Sequence, residues 1–79
     1  MGIDYDKIDE VTLALLYLVI HDKSPFGARA WKGFDWETMN RLYEKGLIDN
    51  PRGKTKSVVM SAAAVEQSRT LFEKYFAVR

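Results

Sequence analysis

Apolar residues recur at helical spacing over Ile8, Val11, Thr12, Leu15, Leu16 and Val19, predicting a first helix from near Asp6 to about His21. Asp6 can cap it, with Asp9 three residues on, and acidic residues in a first turn suit the positive end of the helix dipole. Within this stretch Leu13 to Ile20 is an unbroken apolar run that periodicity alone would equally allow as a buried strand. Its length and its Leu and Ala content favour helix. Leu13, Tyr17, Leu18 and Ile20 carry apolar character around most of the cylinder, so this helix needs cover from several directions.

Lys23 to Phe34 breaks the pattern with Pro25, Gly27 and Gly33 and reads as a connector. A second helix follows from a cap at Asp35 to Lys45, with Trp36, Met39, Leu42 and Tyr43 on one side and Gly46 at its C-terminal stop. Leu47–Asp49 and Ser57–Met60 are short β-prone runs around Asn50-Pro51-Arg52-Gly53, which predicts a hairpin with a basic tip. Ser61 caps a third helix from Ala62 to about Phe76, whose apolar side is Ala64, Ser68, Leu71, Phe72, Tyr75 and Phe76. The predicted fold is mainly α with a small β-hairpin: three helices plus a two-stranded wing, winged-helix-like, in one domain over residues 1–79.

Composition narrows the function more than the fold. A chain of 79 residues buries only about 60% of its unfolded surface, which leaves a thin stability margin. There is no cysteine, hence no disulfide or thiolate metal site, and a single histidine excludes multi-histidine metal centres. No cofactor or metal is expected. No apolar run approaches the roughly 18–20 residues of a membrane span, and the first six residues are acidic where a signal peptide would be basic. The expectation is a cytoplasmic protein that does not enter a membrane.

The net charge of +1 conceals a segregation. Residues 1–22 sum to −4 and residues 35–50 to −2, whereas residues 23–34 (Lys23, Arg29, Lys32) and 51–57 (Arg52, Lys54, Lys56) carry +3 each. The acidic stretches coincide with predicted helices and the basic ones with predicted loops, so near-neutrality does not exclude a local binding face.

Few motifs suggest chemistry. Gly53-Lys54-Thr55 resembles the end of a phosphate-binding loop, but the required glycine five residues earlier is Ile48. His21-Asp22 resembles an acid/base pair in outline, yet adjacent helical residues do not face one another and no nucleophile stands at motif spacing. A histidine closing a helix suits the dipole without any catalytic role. An enzyme is not expected. The segment Arg29-Ala30-Trp31-Lys32-Gly33-Phe34-Asp35-Trp36 interleaves three large aromatics with two cations, a composition that can stack bases or anchor a protein partner. Phe34 and Trp36 flank a helix start and are expected to plug the core, while Trp31 is open to either role. The candidate binding residues are Arg29, Trp31, Lys32, Arg41, Arg52, Lys54 and Lys56.

Two resemblances bear on these expectations. Leu42-Tyr43-Glu44-Lys45-Gly46-Leu47-Ile48 and Ser57-Val58-Val59-Met60-Ser61-Ala62-Ala63-Ala64 resemble phrases of winged-helix regulators of the multiple-antibiotic-resistance repressor type, with Ala64 departing from a glycine. The resemblance covers the second half of the chain and implies a DNA-binding regulator using Arg41, Arg52, Lys54 and Lys56. Two features oppose it: the helix that should precede the recognition helix is absent, and helix two bears Asp35, Glu37 and Glu44 against Arg41 and Lys45. The chain also resembles, over nearly its whole length, a family of short uncharacterised bacterial proteins, a domain of unknown function. The carriers are Ile8-Asp9-Glu10, Leu15-Leu16-Tyr17-Leu18, His21-Asp22, Arg29–Trp36 and Glu44-Lys45-Gly46-Leu47-Ile48, with Pro25-Phe26 resembling a small insertion. The leading expectation is a non-enzymatic binding or assembly module, homodimeric through helices one and three, with a protein partner. A winged-helix DNA-binding transcriptional regulator is the alternative.

Overall fold

A computed structural model describes residues 2–78; Met1 and Arg79, the ends of the expected 1–79 domain, lie outside them. The elements run α1 (Tyr5–Leu18), β1 (Ile20–Ser24), β2 (Gly27–Trp31), α2 (Trp36–Glu44), β3 (Ser57–Ser61) and α3 (Ala62–Phe76). The strands form one antiparallel sheet in the order β1-β2-β3, and α1 and α3 pack on each other against one of its sides.

The two-stranded wing is not formed. The three-stranded sheet replaces both it and the winged-helix-like, mainly α arrangement. β3 is present as predicted, but its full-length partner is β2, with Gly27 opposite Ser61 and Trp31 opposite Ser57. The other expected wing strand shrinks to a single bridge between Ile48 and Met60 and a bond from the Asp49 N–H to the Val59 carbonyl at 2.9 Å. The supposed connector supplies the missing strand. Pro25 occupies a two-residue turn between Ser24 and Gly27, where its fixed φ is an asset, and the Phe26 N–H donates to Ser24 Oγ at 3.2 Å. Beyond the turn, Ala28 and Ala30 point into the core while Arg29 and Trp31 point out, the period of two that marks a strand.

Helix one begins and ends earlier than predicted. Asp4 is its cap, accepting from the Lys7 N–H at 2.9 Å, and Leu18 is its last residue. Val19 caps the helix and the β-branched Ile20 opens β1, where such side chains pack well. The buried stripe of α1 is Asp9, Leu13, Ala14 and Leu16; of the predicted Ile8, Val11, Thr12, Leu15, Leu16 and Val19 only Leu16 belongs to it. Helices two and three keep their predicted caps: the Asp35 carboxylate accepts from the Thr38 N–H, and Ser61 Oγ accepts from the Ala64 N–H. The Thr38 hydroxyl and N–H together hold the Asp35 carboxyl below its ordinary range.

The core joins Leu13 and Leu16 to Met39, Leu42, Ile48, Val58, Met60 and Ala64. Ala28 and Ala30 are the small residues beneath the helices, and α3 contacts both β2 and β3. At the far end of α3 the Tyr75 hydroxyl donates to Glu10 on α1, a bond that raises the phenol above its ordinary range.

Candidate functional site

One side of the sheet is covered by helices and the other carries polar and aromatic side chains. On the uncovered side, Asp22, Arg29 and Val59 stand opposite one another across three strands. A bulge between Ile20 and Asp22 inserts His21 as an extra residue in β1. Bulges re-aim a side chain, and this one brings the His21 ring onto Trp31. The rings stack at 4.0 Å between centroids and 24° between planes. His21 Nε2 and the Ser57 hydroxyl hydrogen-bond at 2.7 Å, so the imidazole is fixed from both sides. His21 was expected to close helix one; it is an exposed strand residue instead, backing an indole that remains 48% exposed.

Trp31 opens onto a shallow depression of about 720 Å³ lined also by Trp36, Phe34, Lys32, Lys54 and Lys56. Trp36 is 51% exposed, so the expected core plug is only Phe34, which packs against the buried cluster. The two basic stretches of the sequence meet here. Lys32 is the clamp between them: its Nζ donates to the Pro51 carbonyl at 2.7 Å and the Gly53 carbonyl at 2.6 Å, and its N–H donates to the Lys56 carbonyl at 3.0 Å. The loop presenting Lys54 and Lys56 is thereby pre-organised, and Pro51 is buried beneath it. Among the described residues no carboxylate lines this depression.

The other candidate residues divide. Arg29 is exposed on the same side of the sheet as Trp31, two residues away, but faces Asp22 across the pair. Arg52 is exposed on the loop outside the depression's lining, its N–H bonded to Asn50 Oδ1 at 3.0 Å. Arg41 is elsewhere. Its Nε donates to both oxygens of Asp9, at 2.9 and 3.1 Å, and its Nη2 to the Thr38 hydroxyl at 3.0 Å, with the guanidinium 4.9 Å from the centre of the Tyr5 ring. Lys45 Nζ donates to the same Asp9 carboxylate at 2.8 Å. A recognition-helix role for Arg41 is therefore inconsistent with where its charge is used. The signal was legible: Asp6 and Asp9 on one helix match Arg41 and Lys45 on another, each pair at facing spacing.

His21 was missed as a member of the site because it was placed on a helix. The alternation Ala28-Arg29-Ala30-Trp31 after Ser24-Pro25-Phe26-Gly27 is the pattern that would have located it opposite Trp31. Among the described residues no group of three or more His, Asp or Glu side chains converges as a metal site, and no helix is long and apolar enough to cross a membrane.

Comparison with known proteins places the chain in a family. Residues 4–78 match the domain of unknown function DUF6429. The chain is 47% identical over 76 residues to the uncharacterized protein y4hR of Sinorhizobium fredii, an alignment covering 96% of this chain and 97% of that one. No solved structure matches. The chain belongs to the DUF6429 family.

Proposed function

We propose that this member of the DUF6429 family is a small non-enzymatic binding module that engages an anionic partner through the Trp31–Trp36 depression. The observation that carries this reading is the convergence of two half-exposed indoles with Lys54 and Lys56 in one concavity lined by no carboxylate among the described residues. Tryptophan is among the side chains that most often dominate binding energy. The non-enzymatic part is supported by the His21–Ser57 pair having, among the described residues, no carboxylate hydrogen-bonded to the imidazole to orient it as a base. The same reading sets the protein in the cytoplasm, since a chain without cysteine has no disulfide that calls for an oxidising compartment.

Both tryptophans of the chain line the depression, so intrinsic fluorescence reads it directly. Inorganic polyphosphate is expected to change the emission at low salt and to lose that effect as salt rises. The double substitution Lys54→Ala/Lys56→Ala is expected to abolish the response without altering the melting temperature, both side chains being exposed. An emission that neither polyphosphate nor any other polyanion changes at low salt would overturn the reading.

Self-association is a second reading, favoured by Leu18. α1 and α3 cover each other within the chain, yet Leu18 at the end of α1 is 62% exposed beside Tyr17, Ile20 and Phe72 around a depression of about 290 Å³. A homodimer joined here would bury that residue. Sedimentation velocity at high micromolar concentration is expected to show a dimer that Leu18→Glu converts to monomer; a monomeric parent sinks the idea.

A further inference from the structure

Resting on the binding reading above, we propose that the anionic partner is a single-stranded nucleic acid, with bases stacked on Trp31 and Trp36 and phosphates met by Lys54 and Lys56.

The argument begins with what the indoles add. A polyanion without rings needs only the lysines, and nothing in its recognition explains two large aromatic surfaces left about half exposed beside them. A nucleotide chain alternates a flat π system with a phosphate, and this depression alternates flat aromatic surfaces with ammonium groups. Stacking on aromatics is also tolerant of sequence, because every base has a π face.

Pre-organisation supports the same assignment. The His21 ring stacked on Trp31, and itself bonded to Ser57, holds the indole as a fixed platform. Lys32 holds the loop bearing Lys54 and Lys56 through two backbone carbonyls. A surface with both its aromatic and its cationic parts already ordered loses less freedom on binding.

Geometry then selects single over double strands. Reading a duplex groove calls for a protruding helix or ribbon with free donors. Of α2's candidate cations, Arg41 is turned onto Asp9, and the neighbouring Lys45 onto Asp9 and Asp6. What remains is the depression at the Trp31 end of β2, where Trp36 stands on α2 and Lys54 and Lys56 on the loop before β3. A concavity of this kind accommodates a few splayed nucleotides stacked on aromatic side chains, the mode by which single strands are taken. Towards the hairpin tip Asp22 faces Arg29, so phosphates are expected near the Lys54–Lys56 end.

The test compares four probes under the same low-salt conditions by tryptophan emission: a short oligothymidylate, a duplex of equal charge, polyphosphate and polyglutamate. The oligothymidylate is expected to quench the emission and to bind about tenfold or more tighter than the other three, the stacking of one base being worth about that much. Trp31→Ala and Trp36→Ala, read by anisotropy of labelled oligonucleotide, are each expected to weaken binding by about tenfold, and Trp31→Phe to restore most of it. Lys54→Ala is expected to reduce the slope of log affinity against log salt by about 0.7. If polyphosphate binds as tightly as the oligonucleotide, the stacking proposal is overturned while the anion-binding reading stands. Preference for the duplex or for polyglutamate overturns it in favour of those partners. Indifference of oligonucleotide affinity to both tryptophan substitutions also overturns it, and silence with all four probes removes the binding reading as well.

Discussion

Gly27→Ala is expected to be among the most damaging single-atom additions this protein can receive, lowering its stability by about 3–5 kcal/mol. Gly27 has φ +154°, in the region that side-chain-bearing residues rarely adopt. A methyl group there would overlap the carbonyl oxygen of Met60, which is backbone and has no rotamer to offer. Gly27 pairs with Ser24 on one side and Ser61 on the other, so it is the point where both strand pairings meet. Relief would require β3 to move away from β2, taking the buried Met60 side chain and the Ser61 cap of α3 with it. A chain of 79 residues has roughly 4–12 kcal/mol of total stability, so the loss is expected to remove at least about a quarter of the margin and, at the low end of that range, all of it. Gly33 is the control: a methyl group there meets nothing within 4 Å and its φ is not in the disfavoured range. Gly33→Ala is expected to shift a urea midpoint by less than about 0.5 kcal/mol in equivalent stability. Equal midpoints for the two variants would contradict the close-approach account.

The same residue shows why half the sheet was hard to see. In sequence, Pro25, Gly27 and Gly33 within nine residues resemble an irregular connector, because proline and glycine usually interrupt regular structure. Here Pro25 makes the turn and Gly27 permits the close crossing, so both serve the strand pairing. The inward residues Ala28 and Ala30 have weak strand propensity, which hid β2 further. The three helices were legible because their signals are local: a capping oxygen, a periodic stripe, and Gly46 at φ +77° after α2. The wing failed for the complementary reason. Ser57–Met60 is a strand in both readings, but a strand's partner is decided by long-range packing, and β2 offered a five-residue ladder where Ile48 offers one bridge.

The proposed binding face was legible in composition and not in geometry. Trp31, Lys32, Lys54 and Lys56 were singled out from residues far apart in sequence, and they meet in one depression. Their roles within it could not be read from a string. Lys32 is a structural clamp, His21 joins through a bulge that no periodicity announces, and Arg41 belongs to another constellation altogether. Charge counting along the chain treats all cations alike; burial of a carboxylate separates them.

That carboxylate is the second place where one substitution is expected to cost most. Asp9 is 3% exposed, and its compensation comes from Arg41 on α2 at 2.9 Å and from Lys45 at that helix's C-cap at 2.8 Å. Removing one partner of a buried ion pair typically costs about 3–5 kcal/mol, because the remaining charge is stranded. Arg41 and Lys45 are 26% and 42% exposed and recover part of their hydration, which places Asp9→Asn at about 2–3 kcal/mol. Lys45→Met is expected to cost less than Asp9→Asn, since Arg41 still satisfies the carboxylate with two bonds. Stability against pH carries a separate signature. The hydrogen bond that Lys45 donates to Asp9, with the one to Asp6 adding to it, holds its ammonium above the ordinary 10.5. A base so raised stabilises the fold below its unfolded value, and that contribution disappears as the pH climbs through the folded value. The parent is therefore expected to lose stability as the pH rises above 10.5, and Asp9→Asn to lose less of it over the same window. Tyr75, raised above 10.0 by Glu10, contributes a fall of the same sign in both proteins, so the difference between them isolates Lys45. Urea midpoints for both proteins on either side of that window provide the measurement. Parallel pH curves would mean that Asp9 holds α1 to α2 through Arg41 alone.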